Sequence, residues 1–474
     1  MTALPVWAGS CGDLAGLRLP HATITSAEAR NAGDTPAICR VAATLRPSSD
    51  SDIKVEVWLP VSGWNGKYQA VGNGGWSGSI NTRALAAAVR RGYAASSTDT
   101  GHSGSSAAFA LGHPEKLIDY AYRSEHEMTV AAKKIIATFY GNGPRLSYWN
   151  GCSAGGKQAL KEAQRYPGDF DGIVAGAPAA NWTGRAAQSI WAAQAVHKDE
   201  QSYIPPAKYA LIHDAVLAAC DALDGAKDGV LEDPTRCKFD PQVLECKDGT
   251  LAGCLTTPQV EAARKIYSPS INPRTKQPVY RGLERGSELG WQRWSGPKPL
   301  SIGTDYFKYV VLEDPAWDFM TLDFDRDIAR AEKLDANRIN ALDPDLRPYF
   351  AHGGKLIQYH GWSDPQIAPG NSEDYYRSVL KFFGDADRVR ESYRLFMVPG
   401  MGHCGGGDGT STFDMLTALE QWVEGKKTPE QILAARTRDG KVDRTRPLCP
   451  YPQTAHYKGS GSTDDAANFV CREE

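Results

Sequence analysis

Leu146-Ser147-Tyr148-Trp149-Asn150-Gly151-Cys152-Ser153-Ala154-Gly155-Gly156-Lys157-Gln158 is the stretch on which the reading of this chain turns. Leu146 to Trp149 is a short apolar strand pattern, and Gly155 to Tyr166 reads as a helix that ends before Pro167. Between them Gly151 to Gly155 matches G-x-S-x-G. A serine on a sharp strand-to-helix turn has its Oγ exposed, and glycines on either side let the backbone turn without a Cβ clash. The Ala154 N–H, at the start of the helix, is placed to meet negative charge developing on a substrate oxygen. Ser153 is therefore a candidate nucleophile.

Outward from this turn, strands and helices alternate. Asp52 to Leu59 places Ile53, Val55, Val57 and Leu59 on one face, as a half-buried strand does. Strands are also predicted at Tyr68 to Val71, Tyr93 to Ser97 and Phe170 to Ala175, and helices at Thr82 to Arg91 and Glu125 to Tyr140, the latter stopped by Gly141. Such alternation specifies an α/β fold with a mostly parallel sheet covered on both faces. The pattern breaks from about Ala179 to Asp345, a stretch rich in prolines and turns with four cysteines and Trp291, Trp294 and Trp317. It resumes with a strand at Lys355 to His360, a helix at Ser372 to Phe383, a strand at Tyr393 to Val398 and a helix at Phe413 to Glu424. The expected division is 1–178 and 346–474 as two parts of one core, with 179–345 inserted as a second domain. Beyond Thr428 the chain is polar, and Lys458 to Asp465 reads as a loop.

A nucleophilic serine needs a base and a group that orients the base. His403 lies in Pro399-Gly400-Met401-Gly402-His403-Cys404-Gly405-Gly406-Gly407, directly after a predicted strand. Asp364 follows another strand in His360-Gly361-Trp362-Ser363-Asp364-Pro365, where a turn residue before proline is the alternative reading. His360, at the same strand end, is the rival base, and otherwise a residue lining the pocket. The chain order Ser153, Asp364, His403 is that of the α/β-hydrolases. The expected activity is serine-dependent ester hydrolysis through an acyl-enzyme. A non-catalytic relative serving as a binding module is the reading of another class, and the complete triad argues against it.

Among 474 residues, 41% are apolar and 23% charged, with net charge −3 and a pI near 6.4. This is globular composition without a basic stripe, which argues against nucleic acid, and no apolar run is long enough for a membrane helix. No pair among the ten cysteines has C-x-x-C spacing, so five disulfides and an oxidising compartment are expected. Met1 to Cys11 has no signal-peptide pattern, which a full-length cytosolic protein and a mature secreted domain share; the cysteines favour a secreted or periplasmic protein whose signal has been removed. Cys152 precedes the serine and Cys404 follows the histidine. A disulfide between them would staple two loops where catalysis needs rigidity.

With Cys152-Ser153, Asp364 and His403-Cys404 the chain resembles the tannase and feruloyl esterase family, which also contains the hydrolase of mono(2-hydroxyethyl) terephthalate. Further similar stretches are Gly74-Gly75-Trp76-Ser77-Gly78 and Phe170-Asp171-Gly172-Ile173-Val174-Ala175-Gly176-Ala177-Pro178. The resemblance implies an α/β-hydrolase fold with a lid at 179–345. It also implies Gly75 as second oxyanion donor, and the pairs Cys11–Cys39, Cys152–Cys404, Cys220–Cys237, Cys246–Cys254 and Cys449–Cys471. A structural calcium ion in the lid is implied too. Asp221, Asp224 and Asp228 would give side-chain oxygens to it, and Ala226 and Val230 carbonyls, a donor set suited to a hard cation but not an EF-hand. No organic cofactor is expected. The expected partner is a small aromatic ester, feruloyl first, gallate or terephthalate second. Trp291, Trp294, Tyr306, Phe307 and Tyr309 are candidates for an aromatic wall, and Arg293 and Lys308 for a cation facing a substrate carboxylate.

Overall fold

The computed structural model describes residues 10–31, 35–247 and 253–473. The chain divides into two compact units: Met1–Ala175 with Asn337–Leu356, and Gly176–Ala336 with Ile357–Glu474.

The first unit is built on seven strands: β1 (Ala22–Arg30), β2 (Ile38–Leu45), β3 (Ile53–Pro60), β4 (Lys67–Val71), β5 (Ala94–Thr98), β6 (Leu146–Cys152) and β7 (Gly172–Gly176). They are ordered β1-β2-β3-β5-β4-β6-β7. β1, β2, β3 and β5 pair antiparallel, while β4 runs parallel to both β5 and β6. Ile53, Val55 and Val57 are buried as their alternation requires, and the inner strands β4, β5 and β7 are buried almost throughout, so they lack alternation. The helix Ser124–Tyr140 buries Met128, Ala131, Ala132, Ile135, Ile136 and Phe139, residues at helical spacing, and stops where Gly141 takes φ 78°. Each large apolar side chain so buried contributes about 1.5–3 kcal/mol. β1 and β2 extend the sheet on the amino-terminal side, and a Cys11–Cys39 disulfide anchors them.

The second unit contains helices Trp182–Val196, Tyr209–Cys220 and Thr257–Tyr267 and the small pair β8 (Ser270–Ile271) and β9 (Pro278–Tyr280). After these come β10 (Lys355–Gly361), β11 (Tyr393–Val398), and helices Gly370–Phe383 and Met415–Gly425. The polar tail is structured as two hairpins, β12 (Ile432–Arg438) with β13 (Lys441–Leu448) and β14 (Thr454–Tyr457) with β15 (Phe469–Arg472), the second stapled by Cys449–Cys471. Lys458 to Asp465 lies in the connection between β14 and β15 as expected.

The segment 179–345 does not stand alone as a compact unit: most of it groups with the carboxy-terminal part. The reason is a set of ties far apart in sequence. Asp228 pairs with Arg446 and lies 3.9 Å from Arg444. The Ala455 N–H donates to Glu232 at 2.8 Å, and His213 reaches both Glu288 and Asp408. Cys220–Cys237 and Cys246–Cys254 close loops within the segment.

Candidate active site

In the first unit, Ser153 leaves β6 at φ 66°, ψ −121° and the helix Ala154–Arg165 starts at the next residue, one earlier than predicted. A non-glycine residue at such φ is strained, and strain of this kind concentrates at functional turns. The turn is packed against the Gly72-Asn73-Gly74-Gly75 loop. Gly155 N–H donates to the Asn73 carbonyl at 2.8 Å, and Asn73 N–H donates to Gln158 Oε1 at 3.0 Å. A Cβ on Gly72 would stand 2.5 Å from Gly155 Cα, so only glycine permits this approach. Asn73 Nδ2 donates to the carbonyls of Ser79 and Thr98, and Tyr120 O–H donates to the Gly75 carbonyl at 2.7 Å. The loop is thus held by side chains on all sides. Among the described residues the Gly75 N–H has no hydrogen-bond acceptor, and Ala154, as first residue of its helix, has an N–H without an intrahelical acceptor.

In the second unit, the fully buried Asp364 lies in the turn just after β10, and the loop after β11 carries His403. His403 Nδ1–H donates to Asp364 Oδ2 at 2.7 Å. Asp364 Oδ1 accepts from the N–H groups of Gln366 (2.7 Å) and Ile367 (3.0 Å). The turn reading of this aspartate therefore holds on Oδ1, while Oδ2 takes the His403 bond that the catalytic reading requires. Burial alone would raise the Asp364 carboxyl, but the His403 charge and the hydrogen bonds from His360 and His403 outweigh it. They hold it well below the usual carboxylate range. An ionised carboxylate only accepts, so His403 carries a proton on Nδ1 in either charge state, and in the neutral ring Nε2 is the acceptor.

His360 does not line the pocket. It has no exposed surface, its Nε2–H is shared between Asp364 Oδ2 and the Ile367 carbonyl at 3.1 Å each, and its Nδ1 accepts from Ser372 Oγ–H at 2.7 Å. The sequence placed it near the acid but gave no sign that Ser372, twelve residues on, would fix its ring.

The structure brings Asp364, His403 and His360 together in one unit, and Ser153, Ala154 and the Gly75 loop in the other. A cavity of about 860 Å³ in the second unit is lined by His403, Arg293, Gln292, Ser363, Gln366 and Asp408, among others. Arg293 is on this wall as expected, whereas Lys308 is not among the described lining residues. Trp291 and Trp294 are also corrected: both are fully buried in the core of the lid, where Trp291 packs edge-on to Tyr267 and donates its indole N–H to Ser287 Oγ at 3.1 Å. Phe307 is likewise buried, against Tyr306 and Trp317. Large aromatics in a chain segment of this size serve first to fill its core.

The pairs Cys11–Cys39, Cys220–Cys237, Cys246–Cys254 and Cys449–Cys471 form as the resemblance implied. Cys152 and Cys404 are each disulfide-bonded as well. In the Asp221–Val230 loop the carboxylates turn inward. Asp221 accepts from the N–H groups of Asp228 and Gly229, Asp224 from those of Ala226 and Glu232, and Asp228 pairs with arginine. Among the described residues no three acidic, histidine or cysteine side chains are arranged to hold a metal. No helix among them is long and apolar enough to cross a membrane.

The likeness to known proteins agrees with this geometry. A family model described as tannase and feruloyl esterase matches residues 39–472. An uncharacterized esterase of Xanthomonas campestris is 38% identical, over 98% of this chain and 91% of its own. A probable feruloyl esterase B-2 of Aspergillus terreus is 36% identical, over 92% and 86%. Of solved structures, feruloyl esterase B from Aspergillus oryzae superposes with a TM-score of 0.91 at 31% identity, covering 98% of this chain and 99% of that one. Tannin acyl hydrolase from Aspergillus niger shares the fold, with a TM-score of 0.79 at 22% identity over 96% and 90%. The sheet, the elbow serine and the matched family model together place the chain, an α/β-hydrolase enzyme, in the tannase and feruloyl esterase family.

Proposed function

We propose that this enzyme is a serine carboxylic-ester hydrolase of phenolic acid esters, feruloyl esters first, acting through an acyl-enzyme on Ser153. The observation that carries the reading is the ionised Asp364 fixing the His403 tautomer, which leaves Nε2 free to take a proton. Ser153 Oγ attacks the ester carbonyl as its proton passes to His403 Nε2. The carbonyl π electrons move to oxygen, and the oxyanion accepts from the N–H groups of Ala154 and Gly75. Collapse breaks the bond to the alcohol oxygen, which takes the proton from His403. Water, with His403 again as base, then releases the acid and restores Ser153. The cavity beside His403 lies within the size range of small-ligand sites.

A second reading, an ester with a free carboxylate such as mono(2-hydroxyethyl) terephthalate, draws on one observation: Arg293 lines the His403 cavity. Methyl gallate represents the tannase-like alternative. Hydrolysis of methyl ferulate, methyl gallate and mono(2-hydroxyethyl) terephthalate ranks the three. Stoichiometric fluorophosphonate labelling lost in Ser153→Ala, with turnover down about four to six orders of magnitude, is the result expected. A variant keeping more than about a tenth of the activity removes Ser153 from the mechanism, since that is only about 1.4 kcal/mol of barrier.

Calcium is proposed as a support of the lid, with Asp221, Asp224 and Asp228 and the carbonyls of Ala226 and Val230 as donors. Its support is chemical: three carboxylates, those of Asp221 and Asp228 buried and that of Asp224 half-buried, with carbonyls in the same ten-residue loop, suit a hard cation. The oxidised cysteines support export to an oxidising compartment, periplasmic or extracellular.

A further inference from the structure

His213 lies outside the triad, yet it stands between two carboxylates from different walls of the His403 cavity. It projects from the helix Tyr209–Cys220 and is almost fully buried. Nδ1 is 2.9 Å from Glu288 Oε2, and Nε2 is 3.4 Å from Asp408 Oδ2. Glu288 belongs to one wall: its neighbours Gly286, Ser287, Leu289 and Gly290 line the cavity. Asp408 belongs to the other, with Gly402, His403, Gly405 and Gly407.

The two anchors differ in rigidity. Glu288 is fully buried and also accepts from Tyr267 O–H (2.6 Å) and Gly286 N–H (2.8 Å). Asp408 closes the Cys404-Gly405-Gly406-Gly407 run, four consecutive residues with positive φ, directly after the catalytic histidine. Glycines give such a run little stiffness of its own. Its base is closed by Gly402 N–H donating to the Gly406 carbonyl and Gly409 N–H to the Gly400 carbonyl, both at 3.1 Å, and Cys404 is disulfide-bonded. Asp408 itself is tied to other elements by Arg436 Nη1–H donating to its carbonyl at 2.7 Å and by His213 on its side chain.

We propose that protonated His213 is a positioning residue, a clasp that joins the Glu288 wall to the Asp408 loop and so fixes the width of the cavity beside His403. This rests on the serine-esterase reading above. An imidazolium donates from both nitrogens, so it satisfies both carboxylates at once. Neutral imidazole donates from one only. The groups facing it agree. Burial alone would lower the His213 pKa, but the hydrogen bonds to Asp408 and Glu288 push it up to about 9. The bond from His213 is the main cause that holds the Asp408 carboxyl below its usual range, with Arg438 and Arg436 adding to it. Tyr267, beneath the Arg285 guanidinium at 4.5 Å, faces Glu288 from behind. A histidine with raised folded pKa stabilises below its unfolded value near 6.5 and loses that effect as pH rises through about 9. The clasp is closed at neutral pH and opens in alkali.

The test is the pH dependence of kcat/KM from about pH 7 to pH 10.5, with methyl 3,4-dimethoxycinnamate, an ester with no ionisable group of its own. The wild type is expected to show an alkaline limb near pH 9, expressed mainly in KM. His213→Gln and Asp408→Asn each remove the charge pair. Each is expected to raise KM about tenfold at neutral pH with kcat much less changed, the scale of one charge-assisted hydrogen bond, and to abolish the limb. His213→Lys keeps the charge and is expected to move the limb to higher pH. A wild type flat through pH 9, or an Asp408→Asn protein with the wild-type limb, overturns the clasp. Fluorophosphonate labelling of Ser153 on the same samples separates this failure from failure of the serine-esterase reading, which would abolish labelling altogether.

Discussion

Asp364 Oδ2 accepts hydrogen bonds from His403 at 2.7 Å and from His360 at 3.1 Å. One oxygen of a fully buried carboxylate thereby takes two imidazole donors, while its other oxygen takes two backbone N–H groups. All of its accepting capacity is used, which is the condition for a charge to remain buried at acceptable cost.

Asp364→Asn leaves the shape and removes the obligate acceptor, so His403 can take the other tautomer. We expect kcat to fall about ten-thousandfold with KM little changed, as a tautomer error does. The sign of the pH effect follows from the depressed carboxyl. The stability this group contributes is present above the unfolded value of about 3.8. It is lost only as pH falls towards the much lower folded value. Asp364 therefore does not produce an acid limb in the working range. Steady-state kinetics of the variant, with a melting curve to show that it is folded, checks both points.

His360→Ala is predicted to be impaired but not dead. His360 touches Asp364, Ile367 and Ser372, and lies behind the acid. Its loss lets Asp364 drift, and a shift of about 1 Å in a catalytic group costs about a hundredfold in rate. His403→Ala should be far worse. If the order of the two variants came out reversed, His360 would be the base.

Cys152 and Cys404 are both oxidised, and each adjoins a residue of the proposed triad. We predict that they bond to each other. Closing a loop of about 250 residues stabilises by on the order of 5 kcal/mol in the chain-entropy model. Non-reducing peptide mapping checks the linkage, and free thiols at both positions in active enzyme would refute it. The double change to Ala is expected to lose turnover at temperatures where the sheet is still folded. Near-normal turnover there would make the bond purely structural.

Calcium, if it occupies the Asp221–Val230 loop, binds the folded lid and raises the melting temperature by mass action. Chelation should lower the melting temperature of the purified enzyme, and Asp224→Ala should abolish that response. The Asp228 pairs with Arg446 and Arg444 would have to rearrange around the ion. Unchanged melting on chelation, with no calcium by elemental analysis, removes the site.

The sequence by itself determined the sheet-and-helix core and the strand-turn-helix at Ser153, and it singled out Asp364 and His403, which the structure pairs. Those features are local: alternation along β3, helical spacing in Ser124–Tyr140, a strand-turn-helix around Gly151 to Gly155, and polar residues at strand ends. Four cysteine pairs form as the family resemblance implied, each closing a loop of 28 residues or fewer. The tertiary structure alone decided what the remaining polar and aromatic groups do. An aromatic residue reads the same in sequence whether it walls a pocket or fills a core, and only packing made Trp291 and Trp294 core. A histidine four residues before the acid could line the cavity or stand behind it, and the Ser372 hydroxyl, from a separate helix, fixed His360 behind. The grouping of the lid with the carboxy-terminal hairpins likewise rests on pairs such as Asp228 with Arg446 and His213 with Asp408. Those partners lie some two hundred residues apart, where neither periodicity nor motif carries information about which side chains will meet.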